Sequence, residues 1–106
     1  MPEFATPYSG TTLDRPMTKQ ELIRAIRYAI AAEYEAIQLY MQIAEAADEE
    51  LATTVLKDIA EEEVVHAGEF LTLLKHLAPE EERLYDEGAG EVREMMEKLG
   101  IEHEAA

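Results

Sequence analysis

The sequence predicts an all-α protein: an antiparallel two-helix hairpin plus a short C-terminal helix, dimerising into a four-helix bundle. Three observations carry this prediction. Ala, Leu and Glu dominate, aromatic residues make up 7% and Trp is absent, which is a profile of helices rather than of a sandwich or barrel. Apolar residues recur at steps of three and four along two long stretches. Between Glu21 and Gly68 there is no Gly or Pro, only one polar pause at Ala47-Asp48-Glu49-Glu50, so two long helices meet at a tight joint.

Taken in order, residues 1–16 (MPEFATPYSGTTLDRP) hold three Pro, a Gly and several Ser/Thr without a period, the pattern of an irregular N-terminal arm. Thr18 then stands three residues before Glu21, the capping-box spacing in which each side chain satisfies a free N–H at a helix start. A helical hairpin of this kind is expected over 17–77. Its first helix runs from about residue 18 to 46 and its second from about 48 to 76, closed by Ala78-Pro79. So short a joint makes the helices antiparallel. Residues 78–106 are expected to supply a linker ending in the flexible Asp86-Glu87-Gly88-Ala89-Gly90, a short helix from about Gly90 to Leu99, and a tail. Val92, Met95, Met96 and Leu99 share one side of that helix, and the Met pair reads as a docking face rather than a copper site.

With 106 residues, the chain suffices for one small domain and barely for a core of its own. It has no Cys, so disulfides, thiolate zinc sites, iron–sulfur clusters and cysteine nucleophiles are excluded, and any metal must be held by oxygen and imidazole. Against 9 basic residues stand 24 acidic ones, a formal charge of −15, which repels nucleic acid and anionic lipid and concentrates cations. No stretch approaches the ~20 apolar residues of a membrane span, and the first residues lack a secretory pattern, so a cytoplasmic location is expected.

The chemistry lies in the apolar stripe. On the first helix, helical steps give Ile26, Ile30, Glu33, Ile37, Tyr40 and Ala44. On the second they give Ala52, Leu56, Ile59, Glu63, His66, Phe70, Leu73 and Leu77. The only interruptions are Glu33 on one helix and Glu63-x-x-His66 on the other. An ionised carboxylate without a partner costs several kcal/mol to bury, and a bound cation compensates it. Glu33 and Glu63 lie equally far from Asp48 in the joint, so antiparallel helices bring them to one height. His66 follows one turn later, so one ion can take an oxygen from each helix and an imidazole nitrogen. Such a set suits iron or manganese better than copper, with zinc also admissible. An ordinary buried polar network is the plainer alternative.

Tyr40, two turns from Glu33, is either core packing or a participant in one-electron chemistry. Glu35 and Glu69 read as solvated surface before they read as an outer cation path. His76 and His103 have no carboxylate constellation and are not expected to be ligands. A lone hairpin leaves an apolar seam open to water, so a second copy is expected to cover it. In di-iron carboxylate bundles two helices each give a Glu and two give Glu-x-x-His, and two copies of this chain furnish that set about a twofold axis.

The run Ala32-Glu33-Tyr34-Glu35-Ala36-Ile37-Gln38-Leu39-Tyr40, followed by Glu63-Val64-Val65-His66, resembles the encapsulated ferritins, the ferritin-like cargo of encapsulin shells. The resemblance spans about residues 15–100 and is close to the version found as a ferritin-like domain in front of some shell proteins, with Thr18-Lys19-Gln20-Glu21-Leu22 and His66-Ala67-Gly68-Glu69-Phe70 in similar places. It implies a ferritin-like bundle and a ferroxidase that oxidises Fe(II) with O2 at a di-iron centre shared between two subunits. It also implies homodimers assembling into an open ring, a decamer, inside an encapsulin nanocompartment whose shell stores the mineral. On the matching positions Glu33, Glu63 and His66 are the iron ligands, Tyr40 is the tyrosine near the centre, and Glu35 is the acidic residue guarding metal access. Leu39 stands where some members have Trp, and residues 101–106 show no encapsulation peptide. Two other readings compete: a peroxide reductase like the rubrerythrins, which usually use a cysteine-bound iron that this chain lacks, and a non-catalytic helical scaffold.

Overall fold

The structure, a computed structural model, describes residues 14–102. Most of the irregular arm expected over 1–16, and the end of the tail with His103, lie outside the described residues. Three helices follow one another: α1 (Lys19–Ala46), α2 (Glu50–Leu77) and α3 (Pro79–Lys98).

Thr18 caps α1 as its spacing predicts. The Thr18 hydroxyl accepts from the Glu21 N–H at 3.1 Å, and the Glu21 carboxylate accepts from the Thr18 N–H at 2.9 Å. Arg15 forks onto the same carboxylate at 2.7 and 2.8 Å. That hydrogen bond above all, then the one from the Thr18 backbone, pushes the Glu21 pKa down to about 2. The α1 helix ends at Ala46 and α2 opens at Glu50, with the Glu49 carboxylate accepting from the Ala52 N–H.

α1 and α2 pack side by side as the expected hairpin. The buried line on α1 is Ile23, Ile26, Ile30 and Ala44. On α2 it is Ala60, Ala67 and Leu74, one position on from the Ile59, His66 and Leu73 of the expected stripe. The small alanines let the helix axes approach, while Leu74 fills the wider end against Ile23, Ile26 and Ile30, with Phe70 and Leu77 alongside. The expected α2 stripe is therefore rotated towards one side of the hairpin, where it is half-buried or open to solvent. Two helices cover only the middle of their apolar faces.

The third helix is present and starts eleven residues earlier than expected, at Pro79 instead of Gly90; there is no linker over 79–89. Pro79 occupies the first turn, where its missing N–H has no helical partner to lose, and Glu80, Glu81 and Glu82 complement the positive end of the helix dipole. Gly88 and Gly90 are carried within the helix, at a cost of about 1 kcal/mol each relative to Ala. The helix stops at Gly100, φ 73°. There the Gly100 and Ile101 N–H groups donate to the Glu97 and Met96 carbonyls at 3.1 and 2.8 Å, a closure that the left-handed glycine permits. No residue of α3 is buried. It projects from the hairpin, so the molecule measures 47 × 44 × 19 Å. Arg27 of α1 reaches Glu81 of α3, which also accepts from the Tyr85 hydroxyl. No helix is long and apolar enough to cross a membrane among the described residues.

Candidate metal centre

Glu33 comes from the middle of α1, and Glu63 and His66 from the middle of α2. Their equal distance from the joint brings them to one height, and one ligand atom of each lies within 4.8 Å of the others. His66 Nδ1 stands 3.5 Å from Glu63 Oε2 and 4.0 Å from Glu33 Oε2. These separations are close enough for charge attraction and too long for good hydrogen bonds. Among the described residues, this is the group of His, Asp and Glu side chains able to hold a metal ion together.

The carboxylates are set back from solvent, their side chains 18% exposed, while His66 is 48% exposed. Glu33 Oε2 is buried and has no hydrogen-bond partner. Leaving a buried carboxylate oxygen unsatisfied costs about 1–3 kcal/mol or more, and a cation is the partner this geometry accommodates. The donor set is two hard oxygens and one imidazole nitrogen, which fits iron. A metal held by these three donors would keep coordination positions open on the exposed side.

Beside the cluster, Glu33 and Glu63 line a hollow of about 260 Å³ together with Ala32, Glu35, Ala36, Leu39 and Tyr40. Tyr40 and Glu35 are thus brought next to the carboxylates. Glu69 and His76 are exposed and stand outside the cluster, as do Met95 and Met96 on α3. Sequence reasoning did not single out Ala32 and Ala36, whose small side chains keep this face low. Their spacing of four on α1 was the available signal. Leu39, which lines the hollow, is exposed, as are Ile43, Val55 and Leu73 elsewhere along the two helices.

A family model described as Rubrerythrin matches residues 25–104. The chain is 44% identical over 89 residues to a ferritin-like-encapsulin shell fusion protein of Pyrococcus furiosus, covering 84% of this chain and 25% of that protein. It is 38% identical over 96 residues to the encapsulin nanocompartment cargo protein EncC of Myxococcus xanthus, covering 86% of this chain and 68% of the relative. The chain thus spans only a quarter of the fusion protein's length. The crystal structure of the encapsulated ferritin domain from Pyrococcus furiosus superposes with a TM-score of 0.73 at 41% identity, covering 91% of this chain and 95% of that one. The hairpin with its third helix, the Glu and Glu-x-x-His pattern and these likenesses agree, and the chain belongs to the encapsulated ferritins within the wider rubrerythrin and ferritin-like group.

Proposed function

We propose that the chain is a ferroxidase whose di-iron centre forms when two copies pair across the face bearing Glu33, Glu63 and His66. The observation that carries this reading is the buried, unpartnered Glu33 Oε2 beside Glu63 and His66, at a hollow also lined by Ala32, Ala36, Leu39 and Tyr40. A twofold axis through that face doubles the donor set to four carboxylates and two imidazoles, a di-iron carboxylate complement.

Each part of the chain then has a task. Fe(II), the substrate, is concentrated by the net charge of −15. Glu33 and Glu63 supply anionic oxygens that offset its charge, and His66 supplies a nitrogen that must be unprotonated to bind. Bound iron supplies the redox chemistry: two Fe(II) give one electron each to O2, which takes up two protons to reach the peroxide level. Tyr40, beside the hollow, is placed to donate a hydrogen bond or an electron there. Ala32, Ala36 and Leu39 of the hollow exclude water once the copies meet. The likeness to an encapsulin cargo protein and to a ferritin-like–encapsulin shell fusion supports an encapsulin shell as the partner; delivery of the ferric product inside such a shell in the cytoplasm, and the joining of pairs into a decameric ring, are carried over from the family resemblance as part of the proposal.

The test is anaerobic Fe(II) titration of the metal-free chain followed by air, reading ferric absorbance beside the mass of the assembly. Saturation near one iron per subunit, prompt oxidation and pairing are expected; absence of stoichiometric binding would move the reading to a scaffold. The Rubrerythrin match favours one second reading, with peroxide as the oxidant. Faster oxidation by peroxide than by O2 at equal concentration would select it.

A further inference from the structure

O2 that accepts two electrons stops at peroxide, and peroxide that meets a centre holding a single Fe(II) finds one electron where it needs two. The chain has no Trp and no Cys, so tyrosine is the side chain best suited to lose the other electron.

Two tyrosines stand together near the cluster. Tyr34 directly follows Glu33 on α1, so their backbones are ~3.8 Å apart. Glu33 lines the hollow at the metal cluster, whereas Tyr34 lines a separate groove of about 540 Å³ with Ile30, Leu71, Leu74 and Tyr85 of α3. The Tyr85 hydroxyl donates to the Glu81 carboxylate, which also accepts from the Arg27 guanidinium. The Arg27 hydrogen bond above all keeps the Glu81 carboxyl below its ordinary 4.5, and so ionised at neutral pH. Donation to Glu81, and after it burial, keeps the Tyr85 phenol protonated beyond its ordinary 10.0, with Tyr34 close enough to add to the rise. A protonated phenol aimed at an ionised carboxylate can release an electron and a proton together, because the proton has an acceptor within hydrogen-bond reach.

We propose that Tyr85 is a one-electron donor to the metal centre, with Tyr34 as the relay and Glu81 as the acceptor of the Tyr85 proton. This rests on the ferroxidase reading, which supplies the peroxide. One Fe(II) and Tyr85 each give an electron to H2O2, which takes two protons from water and becomes two molecules of water. The O–H bond of Tyr85 breaks, its proton passes to Glu81, and the products are Fe(III), a neutral Tyr85 phenoxyl radical and a protonated Glu81. The next Fe(II) returns an electron to the radical while Glu81 returns the proton, which restores the phenol and its carboxylate. Over the cycle one peroxide oxidises two Fe(II), with Tyr85 holding the missing electron's place between arrivals.

The test loads the full chain anaerobically with Fe(II) at half saturation, adds peroxide, freezes the mixture and reads electron paramagnetic resonance. The parent should show a tyrosyl radical that disappears when more Fe(II) is added. Tyr85→Phe and Tyr34→Phe should each lose it while binding Fe(II) as the parent does. Glu81→Gln, which keeps an acceptor but no base, should also lose it with helical circular dichroism intact. A parent without the radical, or a radical unchanged in Tyr85→Phe, overturns the proposal. A second measurement needs no iron: azide radicals generated by a light pulse oxidise the metal-free chain, and the phenoxyl absorbance should be long-lived in the parent and short-lived in Tyr85→Phe. Equal lifetimes overturn Tyr85 as the donor. Absence of stoichiometric iron binding overturns the ferroxidase reading and the link to the centre, while this second measurement still decides where the radical settles.

Discussion

At the scale of the residue, Glu63 and Leu74 separate chemistry from stability. Glu63 is set back at the cluster but belongs to no core contact, so Glu63→Ala should leave the helical circular dichroism intact and reduce Fe(II) binding at least tenfold, measured by anaerobic titration. Retained oxidation would remove Glu63 from the ligand set. Leu74, 1% exposed against Ile23, Ile26 and Ile30, should behave oppositely. Leu74→Ala should cost about 2–5 kcal/mol in urea unfolding. The three candidate ligands were legible in the sequence because each interrupts an apolar period, and a break in a period is visible without coordinates. Arg27, Glu81 and Tyr85 were not legible. Arg27 and Glu81 lie 54 residues apart, and no local pattern announces an ion pair between helices whose relative direction is unknown.

At the scale of the element, α1 was legible to its cap because Thr18 and Glu21 satisfy each other locally, while α3 was misjudged because Gly88 and Gly90 look like breakers when read singly. What outweighs them is Pro79 with three glutamates at one end and the Gly100 closure at the other. Gly90 has only Arg93 Nη2, at 3.9 Å, near the place a Cβ would take, so Gly90→Ala should stabilise α3 by about 0.5–1 kcal/mol, read as slower amide exchange. The attachment of α3 also has a pH window. The Arg27 hydrogen bond, and after it that of Tyr85, holds the Glu81 carboxyl below its ordinary 4.5, so its contribution is present above 4.5 and is lost as pH falls through the lowered value. Donation to Glu81 raises Tyr85 above its ordinary 10.0, so that contribution is present below 10 and is lost as pH rises through the higher value. The latch should therefore hold across the neutral range, and Arg27→Ala should speed amide exchange in α3 at pH 7 while leaving α1 and α2 unchanged. Below pH 4.5 the Arg15–Glu21 fork weakens as well, its loss continuing towards pH 2.

At the scale of the whole molecule, the sequence showed that a hairpin alone leaves apolar surface open, and α1 followed the expected stripe. The α2 register shifted by one position because alanines, which periodicity weighs lightly, pack more closely than Ile59 or Leu73. Period finds the apolar side of a helix, and volume decides which residue sits at the centre of the seam. Iron and assembly should be coupled in the full molecule. Chelation should lower the mass of the assembly at fixed concentration, whereas a mass unchanged by chelation would place the pairing elsewhere than the metal face.

The thinnest dimension is 19 Å, against 47 and 44 Å along the other two. A body so thin has almost no interior, and only seven residues, all apolar, count as buried among those described. Folding and association then draw on the same apolar surface, and unfolding is not a property of one chain. Its thermal midpoint should climb as protein concentration rises, by several degrees over a hundredfold range, and a midpoint indifferent to dilution would mean that this plate of helices stands alone.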